Sequence, residues 1–92
     1  MNCDIQINKN GDKFYYLNGL LHREDGPAIE CVNGDKFWYK NGKLHREDGP
    51  ALEYRNIKYV GKSYFFNGIN YEYNFKFNPK SWKIFIKTLI FS

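Results

Sequence analysis

The sequence predicts an all-β fold: an antiparallel meander of tandem β-hairpin repeats, closed by a C-terminal capping helix. Three observations predict it. Residues 10–30 recur without a gap as residues 33–53, and only Tyr15/Trp38, Leu17/Lys40, Leu20/Lys43 and Ile29/Leu52 differ. A repeat near this period signals supersecondary units that stack to share a core. Each copy carries an Asn-Gly pair between runs of aromatic and β-branched residues, the strongest local signal for a two-residue hairpin. From Asn78 onward the apolar period changes from that of a strand to that of a helix.

The elements follow in order. With 92 residues the chain is read as one domain. Residues 1–9 hold a leading strand, since Ile5-Gln6-Ile7 alternates. The first repeat is 10–32. Asn10-Gly11-Asp12 turns, 13–17 is a strand by its aromatic content, Asn18-Gly19 turns, and 20–23 returns. Glu24-Asp25-Gly26-Pro27 breaks the pattern before a strand over 28–32. The second repeat, 33–55, has the same order: strand 36–40, Asn41-Gly42, strand 43–46, Glu47-Asp48-Gly49-Pro50, strand 51–55. Alternation places Phe14, Tyr16, Phe37 and Tyr39 on one face and Tyr15 and Trp38 on the other. Residues 56–77 form a degenerate third repeat. There 63–66 leads into Asn67-Gly68, but Ile69-Asn70-Tyr71-Glu72-Tyr73 replaces the His-Arg-Glu-Asp phrase.

The tail, 78–92, begins with Asn78 as N-cap and Pro79 at the first helical position. Trp82, Phe85, Ile86 and Leu89 then share one stripe, with Lys80, Lys83 and Lys87 between them. The β-branched Ile84, Ile86, Thr88 and Ile90 support a competing strand reading. A helix here is expected to cover an apolar sheet face or an open edge.

Bulk properties narrow the function classes. Aromatics are 20% of the chain, which compensates for a thin core, because a chain this short buries roughly 65% of its unfolded surface. The net charge of +4 steers weakly toward anionic partners and is too mild to argue for duplex DNA. Cys3 and Cys31 have neither metal nor redox spacing, so a reducing cytoplasm is expected. Met1-Asn2-Cys3-Asp4 is polar, unlike a signal peptide, and no stretch is long enough to span a membrane. Richness in Lys, Asn, Ile, Tyr and Phe suggests an AT-biased source, a low-GC bacterium or a virus infecting one.

The dense ionisable clusters are His22-Arg23-Glu24-Asp25 and His45-Arg46-Glu47-Asp48. As a ligand site, Arg23 and Arg46 are bidentate forks for phosphate or carboxylate, His22 and His45 hydrogen-bond, and Tyr15 or Trp38 stacks a flat ring. As architecture, Glu24, Asp25, Gly26, Pro27, Glu47, Asp48, Gly49 and Pro50 build turns, and each Arg pairs with an acid. Tyr54, Tyr59 and Tyr64 are further stacking candidates with a core alternative. Leu17 and Leu20 flank the first Asn-Gly turn where the second copy has Lys40 and Lys43, which suggests a homodimer contact or a dock for the terminal helix, with partial burial by the leading strand as the alternative. There is no Gly-rich phosphate loop, nucleophile elbow or metal-spaced Cys/His set, so no cofactor, metal or catalytic residue is expected.

Residues 33–51, Asn-Gly-Asp-Lys-Phe-Trp-Tyr-Lys-Asn-Gly-Lys-Leu-His-Arg-Glu-Asp-Gly-Pro-Ala, resemble the variant MORN-type β-hairpin repeats. The resemblance covers residues 10 to about 70. The family occurs in tandem arrays in bacterial, phage and giant-virus proteins, and it implies a scaffold or binding surface with no shared catalytic residue. The leading expectation is a non-enzymatic viral or phage accessory protein that sequesters a small anionic ligand, such as a nucleotide immune signal. The alternative is a protein–protein interaction scaffold. A third is a small nuclease or hydrolase with His22 or His45 as base.

Overall fold

The computed structural model describes residues 3–55, 62–71 and 77–90. The chain there consists of short antiparallel strands followed by one helix. The longest strands come first. β1 (Cys3–Ile7) pairs along its whole length with β2 (Lys13–Leu17), from Cys3 opposite Leu17 to Ile7 opposite Lys13. Asn18 and Gly19, at φ 53° and 79°, turn the chain into β3 (Leu20–Leu21). Positive φ at both central residues is the type I′ turn, whose twist matches that of the flanking strands. The same turn recurs at Asn41-Gly42, between β6 (Tyr39–Lys40) and β7 (Lys43–Leu44). It recurs again at Asn67-Gly68, between β10 (Phe65–Phe66) and β11 (Ile69–Asn70).

The order of strands departs from a simple meander. β4 (Ile29–Glu30) does not lie beyond β3. It returns to β2 on the side that β3 occupies, pairing Lys13 with Glu30 and Phe14 with Ile29, while β3 pairs Tyr16 and Leu17. Residues 22–27 loop out between these two contacts, so the chain leaves the sheet and re-enters lower down. β4 then pairs β5 (Lys36–Phe37), β5 pairs β8 (Leu52–Glu53), and β8 pairs β9 (Lys62–Ser63).

Trp38 separates β5 from β6, where the sequence predicts one strand over 36–40. At Trp38 the partner strand changes: its N–H donates to the Ala51 carbonyl (2.8 Å), and its own carbonyl accepts from the His45 N–H (3.0 Å). Tyr64 divides β9 from β10 in the same way, with its carbonyl accepting from the Tyr71 N–H (3.1 Å). The strands expected over 28–32 and 51–55 shorten to pairs of residues. A turn closes over 31–35, with the Cys31 N–H on the Asp35 carbonyl and the Gly34 N–H on the Cys31 carbonyl. Asp12 Oδ1 accepts from the Val32 N–H in this turn (2.9 Å), and Asp35 Oδ1 accepts from the Arg55 N–H (2.8 Å).

This register gives the sheet two unlike faces. Phe14, Ile29, Phe37 and Leu52 are successive cross-strand neighbours on one face. Lys13, Glu30, Lys36 and Glu53 are successive neighbours on the other, with charge alternating at each step. Opposite charges directly across a strand pair contribute a few tenths of a kcal/mol to about 1 kcal/mol each.

Helix α1 (Pro79–Ile90) starts as the sequence predicts. The Ser81 N–H donates to Asn78 Oδ1 (2.8 Å), and the Asn78 N–H donates to Ser81 Oγ (3.0 Å). This reciprocal cap satisfies amides that the first turn leaves open. The helix buries Trp82 and Ile86 against Tyr64, and Phe66, Tyr71, Phe77, Phe85 and Leu89 pack around them. Trp82 is fully buried, and its indole N–H donates to the Arg46 carbonyl (2.7 Å). The helix therefore docks on the third hairpin, and Leu17 and Leu20 are not part of that cluster. No helix among the described residues is long and apolar enough to cross a membrane. Tyr59, Glu72 and Tyr73 lie outside the described residues.

The molecule is a slab of 39 × 35 × 17 Å, so few side chains lie far from water and each fully buried one carries much of the stability. Trp82→Ala is expected to lower the unfolding free energy by about 3–5 kcal/mol in a denaturant titration. Ile84→Ala, at a side chain 60% exposed on the same helix, should change it by less than about 0.5 kcal/mol.

Candidate functional site

The loops 22–27 and 45–50 have the same internal wiring. His22 is 4% exposed and His45 is 8% exposed. The Asn41 backbone N–H donates to His22 Nδ1 (3.0 Å), and the Asn67 backbone N–H donates to His45 Nδ1 (3.0 Å). A ring nitrogen that accepts from an amide carries a lone pair, so the imidazole proton sits on Nε2. From there it is donated to Glu24 Oε1 (2.8 Å) in the first loop and to Glu47 Oε2 (2.9 Å) in the second. Both nitrogens of both rings are thus occupied within the chain.

The arginines are held just as closely. Arg23 donates from Nε to Asp25 (3.1 Å), and from Nη1 to the Pro27 carbonyl (3.2 Å) and to Glu30 Oε1 (3.0 Å). Arg46 repeats this with Asp48 (2.8 Å), the Pro50 carbonyl (3.1 Å) and Glu53 (2.8 Å). Each guanidinium also lies over a ring: Arg23 is 4.1 Å from the centroid of Tyr15, and Arg46 is 3.8 Å from that of Trp38. Glycine lets them lie close against the loop backbone. A Cβ on Gly26 or Gly49 would come within 3.0 or 2.9 Å of the guanidinium carbon. Ala28 and Ala51, which follow each loop, are fully buried.

Glu30 is the meeting point of the first loop. Its Oε1 accepts from the Tyr15 hydroxyl (3.0 Å) as well as from Arg23. The bond to Glu30, helped by burial, raises the Tyr15 pKa above the usual phenol value, although the Arg23 charge opposes this. Burial works against the charge on Arg23, but Asp25, Tyr15 and Glu30 outweigh it and hold the pKa above its ordinary value.

The two loops line one cleft of about 460 Å³. Residues 23–26 form one wall, residues 45–48 the other, and Lys40 of β6 and Trp38 just before that strand complete the lining. Its charges are Arg23, Lys40 and Arg46 against Glu24, Asp25, Glu47 and Asp48. The carboxylates are outermost. Glu24, Asp25, Glu47 and Asp48 have side chains 64%, 87%, 49% and 69% exposed, whereas Arg23 and Arg46 are 23% and 20% exposed. The two arginines are thus the more shielded charges, and both are already paired.

The remaining candidates lie elsewhere. Leu17 is opposite Cys3 in the β1–β2 pair. Leu20 is 48% exposed and lies against the next turn, 3.4 Å from where a Gly42 Cβ would stand. Tyr54 meets Phe37 edge-on, and Tyr64 is buried under the helix. Glu30 and Glu53, the acids that anchor the arginines, stand outside the His-Arg-Glu-Asp phrases that mark the site in the sequence. Their signal is the equal spacing of Arg23 to Glu30 and Arg46 to Glu53 in the two blocks. No group of three or more His, Cys, Asp or Glu side chains among the described residues gathers where it could hold a metal ion. Comparison with protein-family models, curated proteins and solved structures finds no match.

His45→Ala removes two hydrogen bonds and leaves a hole beside Phe66, whose ring lies 4.7 Å away. The expected loss is about 2–4 kcal/mol in urea unfolding. Tyr15 has a folded pKa raised above its unfolded value, so its contribution is complete below about pH 10 and is lost as pH rises through the folded pKa. In an alkaline absorbance titration, Tyr15→Phe should remove a late-ionising phenol and should make stability less sensitive to pH above 10.

Proposed function

We propose that the chain is a non-enzymatic protein-binding module of stacked MORN-like hairpin units. In this reading 10–32 and 33–55 are full units, 56–77 is a degenerate third, and the leading strand and the helix cap the two ends. One observation carries it: in both copies the histidine nitrogens and the arginine Nε and Nη1 are satisfied inside the chain. The repeated phrase then serves the stack, and what it presents outward is a row of carboxylates. Glu24, Asp25, Glu47 and Asp48 suit a partner protein whose contacting surface is rich in Lys and Arg. These carboxylates stand on a chain of net charge +4, so attraction there is local and screened by salt.

A second reading is sequestration of a nucleotide. The cleft favours it, because about 460 Å³ falls within the range of small-molecule sites and Trp38, Lys40, Arg23 and Arg46 line it. Against it, four carboxylates line the cleft beside its three cations, and a two-pronged contact with Arg46 must displace either Asp48 from Nε or Glu53 from Nη1.

Two measurements separate the readings. In native mass spectrometry with linear and cyclic nucleotides, the module reading expects the unliganded mass throughout. A stoichiometric adduct, lost in Arg46→Ala, would establish sequestration in its place. In calorimetry with a Lys/Arg-rich peptide at low salt, binding is expected, weakened at least tenfold by Asp25→Asn with Asp48→Asn. Equal affinity in that double variant would remove the acidic row from the account.

A further inference from the structure

β1 is an edge strand with nothing described on its outer side. It stands at the end of the sheet order, with β2 as its partner. Asp4, Ile5, Gln6 and Ile7 are all exposed, although a strand with one covered face would bury every second residue. Ile5 is 55% exposed and Ile7 is 62% exposed. The strand holds no Lys, Pro or bulge, devices that stop an edge from pairing, and its single charge is Asp4.

The hydrogen bonds of β2 fix which backbone groups of β1 face outward. The Tyr15 N–H donates to the Ala28 carbonyl (2.8 Å), and its carbonyl accepts from the His22 N–H (3.0 Å). Both Tyr15 groups therefore point away from β1. Ile5 stands opposite Tyr15 in the register. In an antiparallel ladder, a residue opposite such a position also turns its N–H and carbonyl away from the pair. Alternation extends this to Cys3 and Ile7. The free edge thus offers the donors and acceptors of Cys3, Ile5 and Ile7, and the backbone groups of Asp4 and Gln6 face β2.

We propose that this edge pairs with β1 of a second copy of the chain, antiparallel, about a two-fold axis at Ile5. The register follows from the same alternation. Centred on Ile5, each outward residue meets an outward residue: Ile5 meets Ile5, and Cys3 meets Ile7. That gives about six backbone hydrogen bonds, two for each such pair. Asp4 of one copy then lies beside Gln6 of the other, a carboxylate next to an amide donor. Centring on Asp4 opposes two carboxylates and loses a hydrogen-bonded pair. Centring on Gln6 also loses one, because Cys3 then meets Lys9 beyond the strand. Registers offset by one residue set outward groups against inward ones. The contact joins two sheets into one and uses neither Leu17 nor Leu20.

The test is light-scattering mass across a concentration series on the full chain. The contact is small, so association is expected between about 10 μM and 1 mM. The mass should climb from 11.0 kDa toward twice that value. Ile5→Pro removes an N–H that β2 does not use, so it should hold the mass at that of one chain while the circular dichroism melt stays near that of the parent. Ile5→Lys, which faces two ammonium groups across the axis, should do the same. Ile5→Cys, with Cys3 and Cys31 changed to Ser, should cross-link on oxidation. A parent that stays at 11.0 kDa up to 1 mM would overturn the proposal. So would a dimer that survives Ile5→Lys, or one that Leu20→Lys disperses.

Discussion

The structure depends on one kind of contact, a backbone amide of one hairpin turn donated to a buried imidazole of the hairpin before it. Asn41 gives its N–H to His22, and Asn67 gives its N–H to His45. An Asn-Gly turn with positive φ at both central residues turns its first amide outward, where it must find a partner or water. Histidine answers this need because it accepts on one nitrogen while donating on the other. The donated proton goes to Glu24 or Glu47, which fixes the mouth of the loop. The glycine of the same turn donates to the preceding strand as well, Gly42 to the Leu21 carbonyl and Gly68 to that of Leu44. Neighbouring hairpins are thereby clamped at their tips.

The arginines act one level out. Each guanidinium lies across its loop, over an aromatic ring and a glycine, and ties the loop to a strand acid seven residues on. These pairs are partly shielded, so they resist salt better than a free surface pair, yet their main effect is geometric. They hold residues 22–27, where the chain leaves β2 at β3 and returns to it at β4, and residues 45–50, which lead from β7 beside β6 to β8 beside β5. In the third hairpin Tyr71 takes the backbone position of the histidine, its N–H on the Tyr64 carbonyl as that of His45 is on Trp38. There the Trp82 indole N–H donates to the Arg46 carbonyl.

Much of this was legible in residues 10–55. The Asn-Gly pairs named the turns because few other dipeptides adopt positive φ twice. Asn78-Pro79 and the stripe through Trp82, Phe85, Ile86 and Leu89 named the helix and where it starts. What was not legible was adjacency. A strand pattern over 28–32 says that a strand exists, and says nothing of whether it continues past β3 or returns to β2. The role of His22 and Arg23 was hidden for the same reason. Their partners are a backbone amide nineteen positions on and a glutamate seven positions on, and an identical string of side chains serves a ligand site equally well. The cleft itself combines the swapped Trp38 and Lys40 with the repeated loops, a combination that only folding creates.

Nitrogen-15 NMR reads directly whether the two histidines are structural acceptors. Both imidazoles should appear as the Nε2–H form with Nδ1 unprotonated. A scalar coupling should pass through the hydrogen bond from the Asn41 amide to His22 and from the Asn67 amide to His45. If either ring carries its proton on Nδ1, or averages between the two forms, the amide–imidazole clamp does not exist and the loops must be held by other means.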